Sequence, residues 1–231
     1  MSARGQRTSA DCWQLQDSRA ALAGEYLCGT VDLRYPAHGI FELRVAGKPV
    51  RGCLLGVDVE SAITNDQTTK PWEPLDAYAR GRDLVVTYRE PRGLPFYLQV
   101  YWRMHEPVAP HRAVIDAIVS IQTREWETYP GVTLASALEG EHTIAGADRL
   151  VTRRDGWSFV EVAPPGDFEL APPQLNDGIE APIWRYGNHF MERGVIRRLR
   201  LRGAIVPRDG DVAAAEQLQA QLVAEQPPLT A

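Results

Sequence analysis

Cysteine is scarce in this chain: Cys12, Cys28 and Cys53 are the three present among 231 residues. Their odd number and wide spacing supply neither a disulfide framework nor a zinc pattern. Cys28 and Cys53 sit in apolar runs, where small core thiols are expected. Lysine is scarcer still, with only Lys48 and Lys70, so positive charge is carried almost wholly by arginine. The formal net charge is -5. That balance leaves no broad basic surface of the kind a nucleic-acid partner needs. No apolar stretch follows the polar segment Met1 to Asp11. Neither a signal peptide nor a membrane span is therefore expected, and the reading is a cytoplasmic protein with no membrane partner. Gly-x-Ser-x-Gly, a phosphate-binding loop, His-Glu-x-x-His and a Gly-rich strand-to-helix turn are all missing. Nothing in the sequence calls for a cofactor or a metal. His105, Glu106 and His111 are the nearest approach to a metal cluster, and their spacing matches no defined site.

What the chain does have is period-two patterning. Hydrophobic residues make up 44%, enough for a sizeable core. Strands are expected at residues 25–34, 40–45, 52–59, 84–89, 96–104, 113–124, 134–138, 149–153, 157–162 and 194–206, with another beginning at Tyr78. Residues 61–75 read as a long polar loop, and the proline-rich residues 163–182 as irregular. Ala215, Leu218 and Leu222 recur at helical spacing, Asp211 can cap the first turn, and Pro227-Pro228 ends the pattern. Many short strands without βαβ alternation specify an all-β, antiparallel β-sandwich with one C-terminal amphipathic helix at about 211–225. A loose tail over residues 1–11 and a single domain over 12–231 complete the expected organisation.

The most regular pair of strands carries the first candidate site. By alternation Tyr97, Gln99, Tyr101 and Arg103 share one face of residues 96–104, and Leu98, Val100, Trp102 and Met104 share the other. On the partner strand Asp116, Ser120, Gln122 and Arg124 share a face. A register matching Arg103 with Asp116 would set unlike charges opposite each other. Flat aromatic rings, amides, guanidinium groups and carboxylates on one surface are the chemistry that binds sugars. Gln99, Tyr101, Arg103, Asp116 and Gln122 are therefore candidate saccharide-binding residues. The alternative is an ordinary solvated sheet face.

A second constellation lies later in the chain. Glu192 with His189 could move a proton if burial brought their pKa values near neutrality. Arg198, Arg200 and Arg202 share a strand face, and Arg198 is a candidate anion or sugar contact. The alternative is a cross-strand ladder of arginines with Asp and Glu. Trp72 and Trp184 lie in or beside proline-rich loops and are candidates for stacking on a ligand. Trp102 and Trp157 are expected in the core.

The order of elements, with Phe190-Met191-Glu192-Arg193-Gly194-Val195-Ile196-Arg197-Arg198 and Pro207-Arg208-Asp209-Gly210-Asp211 at its end, resembles an uncharacterised bacterial group of the galactose mutarotase-like supersandwich. That resemblance implies a sheet surface that binds carbohydrate, and epimerases that use a glutamate base with histidines. Glu192 is the one residue matching such a base; paired histidines at a recognisable spacing are absent. Three functions follow: a carbohydrate-binding protein, a sugar epimerase or lyase-type enzyme using Glu192, and a non-catalytic structural or oligomerisation protein. The partners expected are a saccharide or sugar-like small molecule and, for the third function, further copies of the chain in a homo-oligomer.

Overall fold

A computed structural model describes residues 11–60, 71–176, 178–187 and 189–225. The expected tail (apart from Asp11), most of the polar loop and Pro227-Pro228 lie outside the described residues. In chain order the first strands are β1 (Trp13–Gln16), β2 (Arg19–Ala23), β3 (Leu27–Asp32), β4 (Phe41–Val45), β5 (Lys48–Pro49), β6 (Gly56–Glu60), β7 (Pro74–Arg80), β8 (Asp83–Arg89) and β9 (Phe96–His105). They continue as β10 (Ala113–Thr123), β11 (Gly131–Ala135), β12 (Glu141–Ile144), β13 (Arg149–Arg154), β14 (Trp157–Val162), β15 (Glu169–Asn176), β16 (Ile179–Tyr186) and β17 (Ile196–Pro207), followed by helix α1 (Asp211–Ala224). The fold is an all-β antiparallel sandwich with a single C-terminal helix.

Three sheets form: β1-β2-β3-β4-β5, then β12-β13-β14-β17-β10-β9-β8-β7, and β15-β16-β11-β6. They share one apolar interior. The eight-stranded sheet contributes Leu98, Val100, Trp102, Ile115, Ala117, Val119, Leu199 and Leu201 from its inner face. The five-stranded sheet adds Leu22, Leu27 and Leu43, and the four-stranded sheet adds Val57, Leu134 and Trp184. The expected alternation in β9 and β10 holds, because a pleated strand sends successive side chains to opposite faces. Their register pairs Asp116 with Arg103.

Helix α1 lies on the outer face of the large sheet. Ala214, Ala215, Leu218 and Leu222 pack on Val114, Val151, Val160, Val162, Ala204 and Val206. Burying each leucine contributes roughly 1.5–3 kcal/mol. Asp211 does not cap the helix: the cap position is Gly210, with no side-chain bond. Asp211 instead receives Arg153 Nε at 2.8 Å and Ser158 Oγ at 2.8 Å, tying the first turn to β13 and β14. Burial pushes its carboxyl up, but these donors outweigh burial and hold its pKa below the usual range.

Residues 163–182 are not irregular throughout, as their prolines suggested. They contain β15 and the start of β16. Pro172 and Pro173 fall inside the register shift between Ala171 and Gln174, on the sheet's edge strand. Pro182 faces that same shift and lies beyond the β11 ladder, which ends at Ala135 opposite Ile183. Bulges and edges are where a missing N–H costs no ladder bond. Strands β1 and β2 were also missed, and β7 begins at Pro74 rather than Tyr78.

Candidate functional site

The outer face of the large sheet brings the first group of expected residues together. Arg80, Asp83, Arg103, Asp116 and Arg202 stand opposite one another across five strands, alternating in charge. Thr87, Gln99, Ser120 and Arg198 form a parallel row, with Tyr101 and Ile118 between the two. These groups bond chiefly to each other. Arg103 holds Asp83 through two bonds of 2.7 Å, not Asp116. Asp116, 3% exposed, receives Arg202 at 2.6 and 2.9 Å and lies 2.8 Å from His105 Nε2. Burial raises the Asp116 pKa, but Arg202 and His105 outweigh it and hold the carboxyl below its ordinary value. Arg202 also donates to both carboxylate oxygens of Glu225, at 2.8 and 2.7 Å, so the chain beyond α1 is clamped over this row.

The Tyr101 hydroxyl donates to Gln99 Oε1 at 2.7 Å, and Gln99 Nε2 donates to Thr87 Oγ1 at 3.0 Å. Arg198 Nε reaches Ser120 Oγ at 3.3 Å. Tyr101 is 8% exposed and packs with Val85 and Ile118, so its ring offers little surface to a sugar. Gln122 is exposed at the end of the face.

The two tryptophans expected to stack on a ligand are in the core. Trp184 is fully buried. Trp72 is 5% exposed and meets Tyr88 edge-on at 5.0 Å, bordering a depression of about 240 Å³. The proline-rich flanks that suggested exposed loops are strand edges and a loop return folded against the interior. Trp102 is in the core as expected, and Trp157 is half-buried. Glu192 is exposed in the turn before β17, not on a strand, and does not share a cavity wall with His189.

A cavity of about 360 Å³ lies between the turn before β15 and the end of β16. Its walls are the turn at Gly166, Asp167 and Phe168, the start of β15, and the end of β16 with Arg185, Tyr186 and His189. His189 is exposed and stacks on Tyr186 at 4.8 Å, while the Arg197 guanidinium approaches the Tyr186 ring at 5.6 Å. Arg185 holds Glu60 Oε2 at 2.7 and 3.0 Å. Asp167 Oδ2 accepts the Arg200 backbone N–H at 2.9 Å, which pins the turn to β17 where the β14 ladder has ended. Burial raises the pKa of Asp167 against the pull of that N–H and of Arg197 and Arg200. Burial likewise raises that of Tyr186, opposed by Arg197. Convergent polar groups with shifted pKa values in a concavity are the usual marks of a binding or catalytic site. His189 alone was legible from the sequence; Asp167, Arg185, Tyr186 and Arg197 were not.

Phe190, which follows the cavity residue His189 in the chain, belongs to a set of exposed aromatics. Residues Thr128 and Met191 exchange backbone hydrogen bonds of 3.1 and 2.9 Å, joining the β10–β11 loop to the segment before β17. Trp126 is 78% exposed, Tyr129 56% and Phe190 50%. The Tyr129 and Phe190 rings are 5.9 Å apart, and Arg193 lies 5.3 Å from the Trp126 ring. An aromatic pair in the polar loop Arg124-Glu125-Trp126-Glu127-Thr128-Tyr129 was the signal for this feature in the sequence.

One further carboxyl is out of place for a core. Glu161 is 1% exposed, on the inner face of β14. Ser136 Oγ donates to its Oε1 at 2.7 Å and itself accepts the Leu55 N–H at 2.9 Å. The Trp184 indole N–H is near enough to favour the charged form, yet falls short of a formed hydrogen bond, leaving Oε2 unsatisfied. Burial dominates and pushes the Glu161 pKa up to about 7. Among the described residues no group of three or more His, Cys, Asp or Glu is placed to hold a metal ion, and no helix is long and apolar enough to cross a membrane.

No protein-family profile matches the chain, and no curated protein is similar to it. Solved structures are similar in fold. Heparan sulfate lyase HepC from Pedobacter heparinus superposes with a TM-score of 0.51 at 11% identity, over 86% of this chain and 36% of that one. A HepC mutant gives a TM-score of 0.50 at 10% identity, over 82% of this chain and 35% of that one. The chain thus spans about a third of the length of these structures, and what it shares with them is the architecture of a β-sandwich.

Proposed function

We propose that this protein is a carbohydrate-binding β-sandwich of the galactose mutarotase-like kind, and that its saccharide sits in the cavity bounded by Asp167, Arg185, Tyr186 and His189. The observation that carries the reading is the convergence of a guanidinium, a stacked Tyr–His pair and a half-buried carboxyl on one concavity of about 360 Å³. Those groups supply hydrogen-bond donors and acceptors for hydroxyls, and ring edges for C–H surfaces. The volume lies toward the small end of the range for small-molecule sites, ~300–1,000 Å³. A fold shared with a protein named as a heparan sulfate lyase supports a sugar-related role. The outer-face residues Gln99, Tyr101, Arg103, Asp116 and Arg198 read better as a cross-strand ladder, because their polar groups are largely taken up by one another.

A second reading is enzymatic, of epimerase or lyase type. It is favoured by three titratable groups, Asp167, Tyr186 and His189, on the wall of one cavity, two of them with raised pKa values. In this reading Asp167 takes the proton-transfer role expected of Glu192.

Thermal unfolding with a panel of neutral and uronate-containing saccharides tests the proposal. A saccharide at ~100 times its dissociation constant stabilises by about 2.7 kcal/mol. Arg185→Ala removes that stabilisation while leaving the fold intact, since Arg185 and Glu60 are both partly exposed. No stabilisation by any saccharide at millimolar concentration overturns the reading.

A further inference from the structure

The geometry points to a ligand that is an oligosaccharide chain rather than a single sugar, held by a second, outer subsite built from Trp126, Tyr129 and Phe190. This rests on the saccharide reading of the cavity. The two features are joined by the chain itself. His189 lines the cavity, and the next residue, Phe190, packs with Tyr129 at 5.9 Å. The backbone bonds between Thr128 and Met191 hold the Trp126–Tyr129 loop against that segment. The outer rings are thus tied through Phe190 to the residue that lines the cavity, and the inferred longer ligand extends from the cavity onto them.

The chemistry of the rings selects a sugar over an apolar protein surface. Tyr129 and Phe190 form an exposed pair of contacting rings, and Trp126 is exposed on the same loop as Tyr129, the kind of surface that marks an interaction site. Two of the rings stand beside a charged group. The Tyr129 hydroxyl donates to Glu127 Oε1 at 2.9 Å. Arg193 lies 5.3 Å from the Trp126 ring, which is 78% exposed. Glu192 and Arg193 are exposed on the facing segment. Flat rings interleaved with carboxylates and a guanidinium match a pyranose unit, which has an apolar C–H face and a polar hydroxyl edge. A hydrophobic partner would leave those charges desolvated and unpaired, at a cost of several kcal/mol each. The role proposed for Glu192 on the sequence thus shifts from proton transfer to the polar rim of this platform.

The site makes a length-dependent prediction. The protein is titrated with one neutral and one uronate-containing series, each from monosaccharide to hexasaccharide. Readouts are calorimetry and tryptophan emission, to which Trp126 is the most exposed contributor. Affinity should rise at least roughly tenfold from monosaccharide to tetrasaccharide in the series that binds, equivalent to about 1.4 kcal/mol. Trp126→Ala and Phe190→Ala should erase that gain and leave monosaccharide affinity unchanged, and Trp126→Phe should retain most of it. Arg185→Ala should weaken every length.

Affinity independent of length, with Arg185→Ala still abolishing it, overturns the outer subsite and leaves the cavity reading standing. Absence of binding at every length removes both. If Trp126→Ala instead turns a dimer into a monomer in light scattering with sugar affinity unaltered, the platform is a contact between copies and the inference is wrong.

Discussion

Glu161→Gln isolates the cost of burying one carboxyl in the core. The carboxyl is 1% exposed among apolar side chains, and burial brings its pKa from an ordinary 4.5 to about 7. In the unfolded chain it loses its proton near 4.5; in the folded chain it keeps that proton to about 7. Between those values the folded state binds one more proton than the unfolded state, so stability falls as pH rises. The contribution is fully present below the unfolded pKa and gone above the folded one. Each pH unit is worth ~1.36 kcal/mol, so a window of about 2.5 units amounts to about 3 kcal/mol. That is a large share of a typical ~5–15 kcal/mol total. Gln preserves the shape, still accepts from Ser136, and carries no charge. The assay is urea unfolding of both proteins from pH 4.5 to 8. Other groups titrate alike in the two, so the stability difference reports Glu161 alone. It should move in favour of the variant by about 3 kcal/mol from pH 4.5 to 7 and then level off. A difference that stays flat across this range refutes the argument that burial keeps the proton on Glu161.

Asp116→Asn should cost ~3 kcal/mol in chemical denaturation at pH 7, toward the lower end for a broken buried pair because Glu225 still neutralises Arg202. The folded pKa of Asp116 is depressed, so its contribution is present above the usual carboxylate range and lost as pH falls through the folded value. The variant should therefore lose less stability on acidification than the parent. Gly203→Ala would place a Cβ 2.4 Å from the Phe159 ring. Overpacking of that kind costs ~1–3 kcal/mol, and a melting temperature equal to the parent's would show that Phe159 moves aside freely.

What the sequence by itself determined is what depends on local periodicity. The two faces of β9 and β10 and the apolar stripe Ala215, Leu218 and Leu222 follow from side-chain direction in a strand or helix, which needs no knowledge of neighbours; the register that sets Arg103 opposite Asp116 is a relation between strands that the sequence offered only as one possibility. Tertiary structure decided the rest. Arg103 stands between two carboxylates, Asp83 and Asp116, and only the position of Arg202 on β17 settles which it holds. Pro172, Pro173 and Pro182 look like strand breakers until the sheet's edge and bulge give them places without a ladder bond. Trp184 reads as loop-borne until β11 and β16 pair and turn it inward, beside Glu161. The cavity joins the Gly166–Phe168 turn to the end of β16, and two segments nearly twenty residues apart share a wall only because β15 and β16 fold back antiparallel and Asp167 finds an open N–H on β17.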